Sequence, residues 1–216
     1  MDFAVCAGFS GVGVQNARRH VSELLGASKS KPTALLVCGF AGALGVQKAG
    51  DIMIAQRVLD CTTGVGMDTE FLADSRLLAT AESLHLRNAR SYNVTLATTD
   101  RILIDRKEKQ AFLQRCSYAD CVDMETAGAV QVARDRGIPW LAVRSVTDGF
   151  DDTMPLDFNA LTDDEGSVAL RRVIGAVLRH PAKIPGLMAL GRRSSFAADS
   201  LSTFLLKLLP SISGSI

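Results

Sequence analysis

The sequence has few of the residues that mark metal, disulfide or nucleic-acid proteins. Its three histidines, His20, His85 and His180, are scattered and form no metal-ligand spacing. The five cysteines are odd in number and include no Cys-x-x-Cys pair, which favours buried free thiols in a reducing cytosol. The 24 Lys and Arg residues nearly balance the 23 Asp and Glu residues. The chain therefore lacks the overall basic charge that would indicate nucleic-acid binding.

Long apolar runs are also missing. No stretch approaches the ~20 residues that a membrane-spanning helix needs, and the first residues do not follow the pattern of a signal peptide. We therefore expect a cytoplasmic protein. With 216 residues, 47% of them hydrophobic and 22% charged, the chain is long enough for one α/β domain with a sizeable core.

Apolar runs alternate with helical patterns over the first two thirds of the chain, which predicts an α/β sheet with parallel pairing. We expect strands at 3–7, 34–38, 51–55, 92–97, 119–123 and 140–147, with helices at 15–25, 73–84, 105–115 and 125–136. An acidic loop-like segment follows at 151–165. A basic C-terminal tail, residues 166–216, reads as two amphipathic helices. We expect residues 1–165 to form the α/β domain and residues 166–216 a helical extension.

Two acidic residues stand at ends of one strand–helix–strand unit. Glu125 opens a helix and Asp148 ends an apolar strand, at the sheet edge where α/β proteins bind ligands. Taken separately, Glu125 is explained by the helix dipole, with Asp123 as a possible cap, and Asp148 by a turn. Arg144 lies inside the apolar strand and needs a carboxylate partner. We therefore expect an ion pair in which Arg144 orients Asp148.

Two glycine-rich turns follow successive strands, at Gly8-Phe-Ser-Gly-Val-Gly13 and Gly39-Phe-Ala-Gly42. Such turns can present backbone N–H groups to an anion or a sugar hydroxyl. The first is not the dinucleotide fingerprint, because its glycine spacing differs and no acid follows about twenty residues later. Each turn alone could be structural, but together they predict one ligand crevice. The polar strand end Thr98-Thr-Asp100 is equally explained as a helix cap or loop.

These motifs together resemble the nucleoside phosphorylase and nucleosidase superfamily. The resemblance is carried by Ser10-Gly-Val-Gly13, Cys38-Gly-Phe-Ala-Gly-Ala43, Ala49-Gly-Asp-Ile52, Val122-Asp-Met-Glu125 and Arg144-Ser-Val-Thr-Asp148, which occur in the family's order over roughly residues 3–160. It implies a three-layer α/β/α fold with a mixed, mostly parallel central sheet. It also implies cleavage of the N-glycosidic bond of a purine nucleoside, without a cofactor, by a homodimer or higher homo-oligomer.

The resemblance assigns roles to individual residues. Met124 and Glu125 would hold the ribose, and Asp148 would protonate the imidazole nitrogen of the purine, oriented by Arg144. The base would be framed by Thr99, Asp100, Ile102 and Leu103, and Phe158 would pack near the substituent on the sugar. The two turns would line the site through Ser10, Gly11, Gly39, Phe40, Ala41 and Gly42.

The chain departs from the family in three places. Val37 and Phe40 occupy the positions of the arginine and serine that grip phosphate in phosphorylases, which favours water as the nucleophile. The family's first strand, whose glutamate-rich turn activates water, has no counterpart, so we expect a misassigned start or a shortened, impaired form. Arg101 and Ile102 stand where an aromatic stacks on the base, and Phe9, Phe40 or Phe150 are the candidates to replace it.

Residues 171–190 of the tail resemble the hopanoid-associated branch, whose members are thought to release adenine from adenosylhopane. This favours an adenosine with an apolar 5′ extension, adenosylhopane-like or methylthioadenosine-like, and peripheral contact with an anionic inner membrane surface. The alternative explanation of the tail is a helix pair that packs on the sheet and on a partner subunit. The alternatives that stay open are a phosphate-dependent phosphorylase and an impaired homologue that binds nucleosides or sits at membranes.

Overall fold

The computed structural model describes residues 4–28, 31–62, 69–161 and 181–213. Its strands are β1 (Leu35–Ala43), β2 (Ile52–Asp60), β3 (Thr69–Leu72), β4 (Ser91–Thr98), β5 (Cys121–Asp123) and β6 (Trp140–Asp148). Its helices are α1 (Val14–Ala27), α2 (Ser75–Glu82), α3 (Arg106–Arg115), α4 (Thr126–Asp135) and α5 (Ile184–Ser213), with short 3₁₀ turns at Asn159–Leu161 and Pro181–Lys183.

The six strands form one mixed sheet that curls until it closes. The two longest ladders, β1 with β6 and β2 with β4, are parallel, and so is the short pairing of β4 with β5. Antiparallel pairings of β1 with β5 and of β2 with β6 complete a ring of five strands, while β3 adds to the outside of β2. The curl draws the ends of several strands toward one place.

Helices cover both faces of this sheet, which confirms the predicted three-layer α/β fold. On one face α4 packs its small apolar residues against β1, β2 and β6, and α1 packs on α4. On the other face α2 and α5 enclose Ile52, Ile54, Leu141 and Val143. The central strands are apolar on both sides because both faces are covered, as is typical of sheets with parallel pairing.

The predicted first strand is wrong over the residues that the structure describes. Residues 4–7 have no regular structure and are exposed, including Cys6. A strand needs a partner with which to hydrogen-bond, and no described strand lies beside this segment. Among the described residues, β1 from Leu35 to Ala41 pairs with β6 alone, so its other edge has no described strand partner over this stretch. Cys38 on this edge is exposed rather than buried.

Helix α5 packs into the core instead of standing apart from it. Phe204 and Leu208 are completely buried against the sheet and α2. The first of the two predicted tail helices lies outside the described residues, and so does the predicted boundary at 165. The two-part division therefore stays a prediction. Among the described residues no helix combines the length and apolarity needed to cross a membrane.

Candidate functional site

The ends of β5 and β6 meet on either side of Gly42, near the end of β1. Gly42 is aligned with Val122 of β5 and with Asp148 of β6. Adjacent strands lie about 4.8 Å apart, which puts the backbones of Val122 and Asp148 about 10 Å from each other. Thr98, at the end of β4, is aligned with Asp123. The polar strand ends that the sequence contains are therefore gathered at one edge of the sheet.

Arg144 pairs with Asp123 and not with Asp148, so the predicted Arg144–Asp148 ion pair is wrong. Arg144 Nη2 lies 2.6 Å from Asp123 Oδ2 and 2.6 Å from Thr126 Oγ1, and all three side chains are buried. Four residues of extended strand span about 13 Å, too far for Arg144 to reach the acid at its end. Its partner comes instead from β5, on the far side of β1, and the side chain of Arg144 passes Gly39 of β1.

Asp123 is the centre of a buried network that fixes the start of α4. Its Oδ1 accepts from the Thr98 hydroxyl at 2.8 Å, and its Oδ2 accepts from the backbone N–H and the hydroxyl of Thr126. The Thr98 hydroxyl accepts in turn from the N–H of Ala127. The N-cap of α4 is Glu125 and not Asp123, but Asp123 accepts from the first N–H of the helix and so holds Met124 and Glu125 in place.

Glu125 faces the first glycine-rich turn. Its Oε1 accepts from the N–H of Gly13 at 3.3 Å, and its Oε2 accepts from the N–H of Met124 at 3.4 Å. Burial raises the pKa of the Glu125 carboxyl, and the charge of Asp123 raises this pKa further. The charge of Arg144 and the two N–H groups lower it, but the net shift is upward. Both bonds are long, so the carboxylate retains the capacity to accept ligand hydroxyls.

Close packing of two helices brings the turn to Glu125. A Cβ at Gly128 of α4 would lie 2.2 Å from the carbonyl oxygen of Val14, so only glycine lets the first turn of α1 approach this near. The turn itself requires positive φ at Gly11 and Gly13. Ser10 donates its hydroxyl to the carbonyl of Gly11, and its own carbonyl lies 2.7 Å from His20 Nδ1.

Asp148 has a buried partner that sequence reasoning missed. Lys109 of α3 is 1% exposed, and its Nζ lies 2.6 Å from Asp148 Oδ2 and 2.6 Å from the carbonyl of Gly149. Asp148 Oδ1 accepts from the Thr147 hydroxyl at 3.0 Å. The available signal was the spacing of Lys109 to Phe112, which puts the lysine on the apolar face of its helix, where it needs a carboxylate.

The predicted second glycine-rich turn, Gly39-Phe-Ala-Gly42, is not a turn: these residues belong to β1 and pair with β6, and their missing side chains let β1 lie directly against both charged groups of β6. A Cβ at Gly39 would meet Arg144 Nη1 at 2.1 Å, and a Cβ at Gly42 would lie 3.0 Å from Asp148 Oδ2. The first glycine-rich turn thus contacts Glu125, and the glycine-rich end of β1 contacts Asp148. Ala41 is buried, whereas Phe40 is 44% exposed.

The residues expected to frame the base follow β4. The N–H of Thr99 donates to the carbonyl of Asp123 at 2.8 Å, which ties this segment to the network. Asn159 holds the backbone of Ile102 from both sides, accepting from its N–H at 2.8 Å and donating to its carbonyl at 3.0 Å. Leu103 is buried beside them, and Asp100 is exposed. Asn159 was missed because an exposed-looking loop amide carries no sequence signal.

The aromatic residues that the sequence offered as substrate contacts differ in their exposure. Phe158 is half-buried beside Asn159. Phe9 is 87% exposed, and the ring of Phe150 is covered by the guanidinium of Arg106 at 5.4 Å, so neither is set up to stack on a base. Within the described ranges no three His, Cys, Asp or Glu side chains are arranged to hold a metal ion.

Comparison with known proteins identifies one family and several related sequences. The sequence profile of the family described as the phosphorylase superfamily matches residues 3–179. The 5′-methylthioadenosine/S-adenosylhomocysteine nucleosidase of Exiguobacterium sp. is 24% identical over an alignment of 185 residues. The alignment covers 79% of this chain and 78% of that protein.

Solved structures show the same fold. The structure of the 5′-methylthioadenosine/S-adenosylhomocysteine nucleosidase of Colwellia psychrerythraea in complex with adenine matches with a TM-score of 0.68 and 16% identity, over 94% of this chain and 76% of that one. Futalosine hydrolase of Helicobacter pylori matches with a TM-score of 0.65 and 15% identity, over 93% and 77%.

Proposed function

The chain belongs to the phosphorylase superfamily, and from that premise we propose that it cleaves the N-glycosidic bond of a purine nucleoside and releases adenine. The observation that carries the proposal is that β5 and β6 end on either side of Gly42, where β5 leads into Glu125 at the start of α4 and β6 ends at Asp148. Glu125 lies against the first glycine-rich turn, and Asp148 lies against the glycine-rich end of β1. Two separate carboxyl groups at one edge of the sheet suit a reaction that needs one group at the sugar and one at the base.

In the proposed mechanism Glu125 accepts hydrogen bonds from the ribose hydroxyls, with Met124 beside the sugar. Asp148 delivers a proton to the imidazole nitrogen of the purine, which makes the base a better leaving group as the C1′–N bond breaks. A carboxylate near the ribose stabilises the positive charge that develops there. General acid assistance of this kind typically contributes ~10²–10⁴-fold in rate.

Arg144 takes a different part from the one that the sequence suggested. It neutralises Asp123, and Asp123 holds the first turn of α4 through Thr126. Arg144 therefore positions Glu125 and Met124 rather than Asp148. Thr99, Ile102 and Leu103 frame the base in this proposal, and Phe158 lies toward the substituent on the sugar.

Water is the proposed nucleophile. Val37 and Phe40 are an aliphatic and an exposed aromatic side chain, and neither can bind phosphate as the arginine and serine of phosphorylases do. The relatives from Exiguobacterium and Colwellia psychrerythraea are nucleosidases by name, which supports hydrolysis over phosphorolysis.

For the substrate we propose an adenosine with an apolar 5′ extension. The half-buried Phe158 and the resemblance of the tail to the hopanoid-associated branch support this choice, with adenosylhopane and methylthioadenosine as the two candidates. A homo-oligomeric state and peripheral contact of the tail with an anionic membrane surface belong to the same proposal and are supported by the resemblance alone.

The test is adenine release from 5′-methylthioadenosine and from adenosylhopane, measured with and without phosphate. We expect release that does not depend on phosphate and that falls at least a hundredfold in Asp148→Asn. Phosphate dependence would replace the hydrolase with a phosphorylase. Absence of release from either substrate by the wild type, together with measurable nucleoside binding, would favour the impaired, nucleoside-binding homologue.

A further inference from the structure

We propose that Lys109 is the proton source behind Asp148: a positioning residue that holds the carboxylate and passes to it the proton that Asp148 gives to the purine. This inference rests on the proposed function and adds a residue to it. Lys109 is the largest side chain among those that are almost completely buried, and it lies on α3, outside every motif that carries the family resemblance.

The hydrogen bonds around Asp148 explain why such a source is needed. Oδ2 accepts from the Lys109 ammonium and Oδ1 accepts from the Thr147 hydroxyl, so both oxygens are used as acceptors. A carboxyl group acts as a donor only when it carries a proton itself. Asp148 bound in this way has none to give, and the nearest N–H that it contacts is the ammonium at 2.6 Å.

The position of Lys109 is set by more than its charge. Its Nζ also donates to the carbonyl of Gly149 at 2.6 Å, so the ammonium bridges the end of β6 and the residue after it. Lys109 and Phe112 form the buried face of α3, and Phe112 belongs to an apolar cluster with Leu103. This arrangement keeps bulk water from the Lys109–Asp148 contact, where both side chains are at most 5% exposed.

The proton balance closes within the proposed hydrolysis. Lys109 gives a proton to Asp148, and Asp148 gives one to the imidazole nitrogen while the electron pair of the C1′–N bond moves to the base. The oxygen of water bonds to C1′, and the extra proton of that water is released to solvent. After the base has left, a proton from solvent returns to neutral Lys109 by the same route, through Asp148. One water is consumed and the enzyme is restored.

Two substrates separate proton supply from a structural role. Release of adenine needs a proton at the leaving group, whereas release of 4-nitrophenolate from 4-nitrophenyl 5-methylthioriboside does not. We expect Lys109→Gln to lower kcat for adenine release about a hundredfold, within the range that general acids contribute. The same variant is expected to release nitrophenolate within about threefold of the wild type. The matched control is Lys107→Gln, on the exposed side of the same helix.

A second variant addresses folding. Lys109→Gln leaves the Asp148 charge without its ion pair, whereas Lys109→Arg keeps a cation that does not give up its proton. Either variant, if it releases nitrophenolate, is folded, and selective loss of adenine release supports the proposal. Equal loss with both substrates in every variant, or adenine release close to that of the wild type, overturns it. Wild-type protein that releases no base at all would instead sink the proposed function.

Discussion

Buried charged residues decide most of the chemistry of the site, and each has its own partner. Asp123 takes Arg144 and Asp148 takes Lys109, so the two acids of the edge belong to separate ion pairs. A buried pair contributes little net stability, but removing one member leaves an uncompensated charge. These residues therefore offer the sharpest tests at the scale of single side chains.

Replacing Arg144 by Met is expected to lower the free energy of unfolding by about 3–5 kcal/mol, because Asp123 is then buried without its cation. Urea denaturation of the purified variant measures the loss. The double variant R144M/D123N removes both charges and should recover part of it. Arg134→Met, at a half-exposed pair with Asp135, is the control and should change little. A loss in R144M no larger than in R134M would contradict the network.

Glu125 predicts an unusual pH dependence. The ribose hydroxyls need an ionised acceptor, and burial raises the pKa of Glu125, so kcat/KM should fall on acidification at a higher pH than an ordinary glutamate would cause. Activity is retained above the raised pKa and lost below it. In Glu125→Gln the remaining activity should lack this acid limb, while Glu70→Gln on β3 keeps it. An unchanged limb in E125Q would assign it to another group.

At the scale of elements, the approach of α1 to α4 matters most, because it delivers the glycine-rich turn to Glu125. Small residues along α4 allow this approach, and Gly128 is the closest point. The loop after β4 is held in a different way, through the amide of Asn159 on Ile102. Both contacts join segments far apart in the sequence.

Gly128→Ala should push α1 away and weaken the contact of Gly13 with Glu125. Overpacking of this kind typically costs about 1–3 kcal/mol, and we expect KM for the nucleoside to rise more than kcat falls. Gly26→Ala, in α1 with open space around its Cβ position, is the matched control. It should leave KM unchanged and hold or raise stability. Equal KM values in both variants would show that the helix contact does not position the sugar site.

At the scale of the whole molecule, α5 is an integral layer. Phe204 is fully buried against the sheet, while Leu206 on the same helix is 74% exposed. The basic charge that marked the tail in the sequence coexists with this packed face. The packing of α5 is therefore compatible with both interpretations of the tail. The inner side of α5 covers the sheet, and its outer side can contact a membrane surface or a partner subunit.

Phe204→Ala is expected to destabilise the protein by about 3–5 kcal/mol, because a cavity remains in the layer between α5 and the sheet. Leu206→Ala should stay within about 0.5 kcal/mol of the wild type, since its side chain is mostly in solvent. Thermal unfolding of both variants gives the comparison. Similar melting temperatures would mean that α5 is detachable, as the predicted helical extension implied.

The alternation of apolar strands and amphipathic helices was enough to predict the α/β class and the approximate place of β1, β2, β4, β5 and β6. The hydrophobic pattern predicts strands reliably where a strand is buried on both faces, because the apolar run is then strong. It failed at residues 4–7, because an apolar run becomes a strand only when another strand pairs with it. It also missed β3, whose pairing with β2 depends on an edge that no pattern in residues 69–72 reveals.

By itself the sequence identified the candidate site residues: an acid at a helix start, an acid at a strand end and two glycine-rich segments, which local spacing and the resemblance to a known family pick out. Only the tertiary structure decided which charges meet. Asp148 contacts Lys109, 39 positions away, and Asp123 contacts Arg144, 21 positions away. The physical reason is that ion pairing in a sheet follows strand order and helix packing, which bring together residues that no local period connects.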